Sequence, residues 1–238
     1  MTEKISTTKL VWLHLYPGLL IGGLYILLTP SINNFGYPSI MSLMISALLV
    51  IIPFELGYLL YAAKSSGNRT IRGILVNKVI GVKKFIGFII GGIVLSFLIV
   101  GLMQFVDDSI KKNVFDWLPN WYMYDEEFKN GYTKQALMVT GILRIFFDGL
   151  ILPYIEEIYF RGYLLPRIKV KGIVTPILAT VLFAIYHFWQ PWNYPSLLII
   201  SAILVFPAWY FKNYKISLYI HVIINFLGAI LFYLMIMQ

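Results

Sequence analysis

Apolar positions in this chain fall into long unbroken runs, not into the alternation of a half-buried strand or the narrow stripe of a surface helix. About twenty consecutive apolar residues cross a bilayer as a helix. Runs of that order cover about 10–28, 39–63 and 85–106, then a fourth from near 135 through the motif at 155–162. Three more follow at 173–189, 196–211 and 216–236. The pattern predicts an all-α polytopic transmembrane bundle of seven spans, or eight if 68–84 or 110–133 conceals another. Polar segments punctuate the runs. Asn33 to Pro38 reads as a turn. Residues 64–84 read as a basic connection with an interfacial helix around 71–80. Residues 107–133 form the longest polar loop, with Trp117, Trp121, Tyr122 and Tyr124 suited to the membrane interface. No internal repeat divides the 238 residues, so a single integral membrane domain is expected.

Composition sharpens the class. The chain is 59% hydrophobic and 13% charged, where a soluble domain is about a quarter charged. The first run is too long for a signal-peptide core and lacks a small-residue cleavage site, so it reads as an uncleaved span. Net charge is +8, with the cations placed in short loops. With the N-terminus inside, fourteen Lys and Arg fall on one face, four on the other, and Arg144 lies within a span. That bias predicts a cytoplasmic N-terminus and a multi-pass cell-membrane protein in contact with phospholipid, not with nucleic acid. The chain has no cysteine, which excludes disulfides and thiolate chemistry.

Chemistry enters through side chains that lipid disfavours. An ionisable group inside a span costs several kcal/mol unless paired or hydrated. Glu156, Glu157 and Arg161 stand together in the fourth run. Glu157 and Arg161 are four apart and share a helical face, so they read as an ion pair. Glu156 is turned about 100° away and is left to handle protons. Arg144 and Asp148 have the same pairing spacing. His187 lies in the fifth run, and His221 and Asn225 share a face of the seventh. His14 and Glu55 each have a structural explanation: an interfacial group, and an inter-helix hydrogen bond beside Pro53. The acids from Asp107 to Glu127 read as a solvated loop, with cation binding as the lesser alternative.

Taken together, Glu156, His187, His221 and Asn225 make an equipped set. A carboxylate in a low-dielectric site beside an imidazole can deprotonate water. A histidine and an amide can donate to a developing oxyanion. A glutamate with two histidines also resembles a zinc site with an open position for water, although no His-Glu-x-x-His is present.

Glu156-Glu157-x-x-x-Arg161, Phe183-x-x-x-His187 and His221-x-x-x-Asn225, in order on three apolar segments, resemble the CAAX protease and bacteriocin-processing (Abi) family. These intramembrane endopeptidases are related to the Ras-converting endoprotease. The resemblance covers about 135–235 and implies the fold and a protease activity on a membrane-associated or lipidated peptide or protein. It assigns water activation to Glu156 with His187, and the oxyanion site to His221 and Asn225. It gives Glu157, Arg161 and Phe183 supporting places. Family members are labelled metalloproteases, so a zinc ion held by Glu156, His187 and His221 and a metal-free glutamate mechanism both remain open. A non-catalytic immunity or scaffold protein of the same fold is the alternative function, and a proton-coupled transporter using Glu55 and Glu156 is a third. The short chain distance from Lys215 to His221 predicts a cavity in the cytoplasmic half, open to water there.

Overall fold

A computed structural model describes residues 3–124 and 131–237. Its long helices are α1 (Thr7–Asn34), α2 (Ser39–Ser65), α3 (Val82–Val114), α4 (Lys134–Arg167), α5 (Val174–Tyr186), α6 (Tyr194–Phe211) and α7 (Tyr214–Ile236). Six of these segments are long and apolar enough to cross a membrane, α6 being counted there with the turn that precedes it. The exception is α5. At 13 residues it spans about 20 Å, short of a bilayer core. The fifth run therefore ends early, and His187 caps its helix part-way through the bundle. This shortening brings His187 level with residues that simple spans would leave at another depth.

Two other expectations change. The third span is longer than its apolar stretch: α3 continues through Asp107, Asp108, Lys111 and Lys112, placed above in a loop. Lys111 is buried with its ammonium 5.3 Å from the Trp192 ring centre, and the Asp107 carboxyl interacts with Ser196. Tertiary partners thus replace the water that a loop would have supplied. The helix expected around 71–80 reduces to one 3₁₀ turn, Ile71–Ile74. Beyond it, Val76 N–H donates to Gly162 O at 3.1 Å and Lys78 N–H to Lys212 O at 2.8 Å. Backbone groups committed to other segments cannot close helical bonds. Asp125, Glu126, Glu127 and Lys129, part of the loop reading, lie outside the described residues.

Glycine explains only part of the close packing. On α3 an added Cβ at Gly92 would stand 2.4 Å from Ile220 Cδ1, while Gly87, Gly91 and Gly101 face open space. On α4 a Cβ at Gly149 would meet the Phe226 backbone at 3.1 Å, so α4 and α7 approach closely there. That contact matters because α4 is irregular beside it. It is π-helical over Phe147–Ile151 and again over Glu157–Leu164, with Leu152–Glu156 between. Pro153 sits where the π-type ladder would next require an N–H for the Asp148 carbonyl. Asn225 Nδ2 donates to that carbonyl instead, at 3.3 Å. The proline leaves an acceptor, and the neighbouring span supplies the donor.

The core sits where α1, α4 and α5 meet. Tyr159, Tyr186, Ile21 and Leu164 are fully buried there. Tyr159 donates its hydroxyl to Leu13 O at 2.9 Å. At one end of the bundle, Tyr25 hydroxyl meets the carbonyls of Trp121 and Tyr122 at 3.0 and 2.9 Å, and Tyr122 and Tyr124 pack around buried Trp192. The aromatic segment read as interfacial is thereby tied across that end.

Candidate active site

Glu157 is the hub of the site. It is fully buried, accepts hydrogen bonds from His221 and Ser217, and forms an ion pair with Arg161. Arg161 Nη1 stands 3.1 Å from Oε1, His221 Nδ1 stands 2.9 Å from the same oxygen, and Ser217 Oγ donates to Oε2. The expected Glu157–Arg161 pair is present and has two further members. Because a carboxylate accepts, the His221 nitrogen facing it carries the proton. The other nitrogen, Nε2, is then left for the cavity.

Arg161 is held from the opposite side. Its guanidinium lies 3.7 Å from the centre of the Phe183 ring, a cation–π contact in a dry setting. The Phe183 ring also meets His187 edge-on, with centres 5.1 Å apart, and His221 at 6.1 Å. Phe183 thus supports both imidazoles and the cation. His187 Nδ1 lies 2.9 Å from the Phe183 carbonyl, which fixes the ring and its tautomer in the same way as in His221.

Glu156 faces elsewhere, as its helical phase requires. With His187, His221 and Asn225 it lines one cavity of about 300 Å³. The four residues come from α4, the end of α5, and α7. Arg144 and Asp148, whose charges stand 3.6 Å apart, line the same space with Tyr124 and Gln190. The Tyr124 hydroxyl donates to Gln190 Oε1. A second cavity, also about 300 Å³, lies on the far side of His187, His221, Asn225 and Gln190, toward Ser96 on α3 and Ser201 on α6. These four side chains therefore stand between two open spaces.

The cavity with Glu156 extends toward Tyr124, Trp189 and Gln190, the end of the bundle away from the basic loops. The position of His221 six residues past Lys215 predicts a cytoplasmic opening. Glu157, Arg161, Ser217 and Phe183, next to His221, are all buried.

Several contributors escaped the sequence reading. Ser217, His221 and Asn225 recur every four residues on α7, so the spacing alone could have found Ser217. Tyr186 precedes His187 and is fully buried; its hydroxyl lies 3.3 Å from Glu55 Oε1 and also interacts with the Glu156 carboxyl. Glu55 thus has the expected inter-helix hydrogen bond, inside the π-helical turn Ile51–Leu56 that holds Pro53. His14 is buried, with Nδ1 2.9 Å from Leu10 O, and stays outside the cavity. Among the described residues no three His, Asp or Glu side chains converge as metal ligands would. The set does not fit a bound metal in this arrangement.

Fold and site together define a helical membrane protein with a polar, buried chamber of acid, imidazole and amide groups. Residues 138–227 match the family model described as type II CAAX prenyl endopeptidase Rce1-like. The matched segment contains all three motifs, from Glu156 to Asn225. Comparison with curated proteins and with solved structures gave no significant match.

Proposed function

We propose that the protein is an intramembrane endopeptidase that hydrolyses a peptide bond in a membrane-associated or lipidated substrate, using a water activated by Glu156. The observation that carries this reading is the shared cavity of Glu156, His187, His221 and Asn225.

In the proposed reaction, Glu156 takes one proton from a water that His187 Nε2 also accepts from. The new hydroxide oxygen bonds to the scissile carbonyl carbon, and the carbonyl electron pair moves to oxygen. His221, held at Nδ1 by Glu157, turns Nε2 toward that oxyanion and donates to it when that nitrogen also carries a proton. Asn225 donates its second amide hydrogen, the first being engaged by Asp148 O. Glu156 then gives its proton to the amide nitrogen as the C–N bond breaks. Preorganised donors of this kind need no rearrangement as charge develops. Neither the acid nor the two histidines need form a covalent intermediate.

Asn225→Ala is expected to lower turnover about a hundred- to a thousandfold and to leave measurable activity, the effect of losing one oxyanion donor. Single-turnover cleavage rates check it. The function itself is tested by comparing peptides in membranes holding wild-type protein with those holding Glu156→Gln. The proposal predicts a precursor that accumulates and a product that disappears in the variant. Identical peptide profiles, with equal amounts of folded protein, reject it.

A further inference from the structure

A third cavity, of about 450 Å³, lies at the basic end of the bundle and plays no part in the proposed reaction. Lys4, Lys78, Lys171 and Lys212 line it, with Trp209, and no acidic side chain among the described residues does. The four lysines come from four separate parts of the chain: before α1, between α2 and α3, between α4 and α5, and between α6 and α7. The charge bias of the loops puts all four on one membrane face.

The cavity is built, not incidental. Lys4 Nζ is fixed on the carbonyls of Pro166 and Ile168 at 3.1 and 3.0 Å. Asn213 Nδ2 donates to Lys78 O at 2.7 Å, and Lys212 O accepts from Lys78 N–H. Separate segments are thus joined so that their cations converge, although like charges at close range repel.

Arg161 forms part of the inner wall. Its side chain is 1% exposed, and Nη1 is drawn to Glu157. None of its Nε, Nη1 and Nη2 has a hydrogen-bond partner among the described residues. A buried guanidinium donor left unmatched is costly, and its fork suits the oxygens of a phosphate.

We propose that this cavity is a binding site for a phosphate-bearing anion, held by Lys78, Lys171 and Lys212 with Arg161 at its inner wall. The anion is either the headgroup of an anionic phospholipid or free phosphate. At headgroup depth, lysines beside an anionic surface attract its phosphates. This site goes beyond the peptidase reading, and its test does not depend on cleavage.

The experiment follows the unfolding temperature of purified full-length protein in neutral detergent. It is titrated with phosphatidylglycerol, phosphatidylcholine, inorganic phosphate, or potassium chloride at matched ionic strength. The same series is run on Lys171→Gln and on Lys171→Gln/Lys212→Asn. Asparagine suits position 212 because Lys212 has φ 51°, a left-handed conformation that Asn tolerates. The expected result is a rise with phosphatidylglycerol and none with phosphatidylcholine or chloride, with about tenfold more anion needed by the double variant. A rise with phosphatidylglycerol alone assigns the lipid headgroup; a rise with inorganic phosphate as well assigns the free anion. No rise in wild type, an equal rise with chloride, or unchanged titrations in both variants overturns the proposal.

Discussion

Glu156→Gln is expected to reduce cleavage at least about a thousandfold while the protein still inserts and folds. A positioned general acid–base group contributes about 10²–10⁴ in rate. Glutamine keeps the size of the side chain and can still bond with Tyr186, so the chamber keeps its walls. What it removes is the site that accepts the water proton and returns it to the leaving amine. The measurement is turnover of the peptide identified by the membrane comparison, together with the unfolding midpoint of the same preparation. Loss of turnover with an unchanged midpoint is the expected pair. Turnover near the wild-type rate removes Glu156 from the mechanism.

The second large effect falls on stability. Glu157→Ala strips the one carboxylate from a buried cluster and leaves the Arg161 cation, the His221 ring and the Ser217 hydroxyl facing an empty space. Removing one partner of a buried pair typically costs about 3–5 kcal/mol, because the other charge stays buried without compensation. A reversible unfolding titration in detergent or bicelles reads this loss. Glu157→Leu combined with Arg161→Leu removes both charges and should recover part of it, leaving only His221 and Ser217 without their acceptor. If the double variant is no more stable than Glu157→Ala, the charge pairing is not what holds this part of α4. The variant should also be inactive, since Glu157 fixes the tautomer and direction of His221.

In the proposed mechanism the two carboxylates divide their work by one residue of helical rotation. Glu157 points to α7 and is saturated with donors. Glu156 points to the open chamber, where Tyr186, His187 and His221 surround it. Both are buried, and the proposal gives the exchange of a proton with water to Glu156 alone. The π-helical turns on either side of Leu152–Glu156 place the pair at the α4–α7 contact, and Gly149 admits α7 close enough for Asn225 to reach Asp148 O.

Much of this was readable in the residues. Long apolar runs gave the helical membrane class, because in lipid only internal hydrogen bonds satisfy a backbone. The i, i+4 spacing gave the Glu157–Arg161 and Arg144–Asp148 pairs, which depend only on one helix. Contacts between spans were less visible. Nothing in the apolar content of 173–189 marks where α5 stops, since Trp189 and Phe188 are as apolar as the helix itself. The end is set by the chain turning at His187 and Pro191. The extension of α3 through Asp107 and Lys111 was hidden for the opposite reason: its polar residues find Ser196 and Trp192 only in the fold. The role of Ser217, and the side on which the chamber has room, depend on what packs against α7. Hydropathy does not encode that.

The central claim is that Glu156, His187 and His221 share a hydrated chamber inside the membrane. Gly228 lines the spaces on both sides of His221, and a Cβ there meets nothing within 4 Å. Leu231, one turn further on, is 60% exposed on the outer face of α7. Because the chain has no cysteine, Gly228→Cys and Leu231→Cys each carry a single thiol. Treating membranes that hold either variant with a charged, water-soluble thiosulfonate is the most direct measurement. The account predicts fast labelling at 228 and none at 231; a thiol at 228 that stays as unreactive as the one at 231 would mean a dry interior, and would contradict hydrolysis by an activated water at this site.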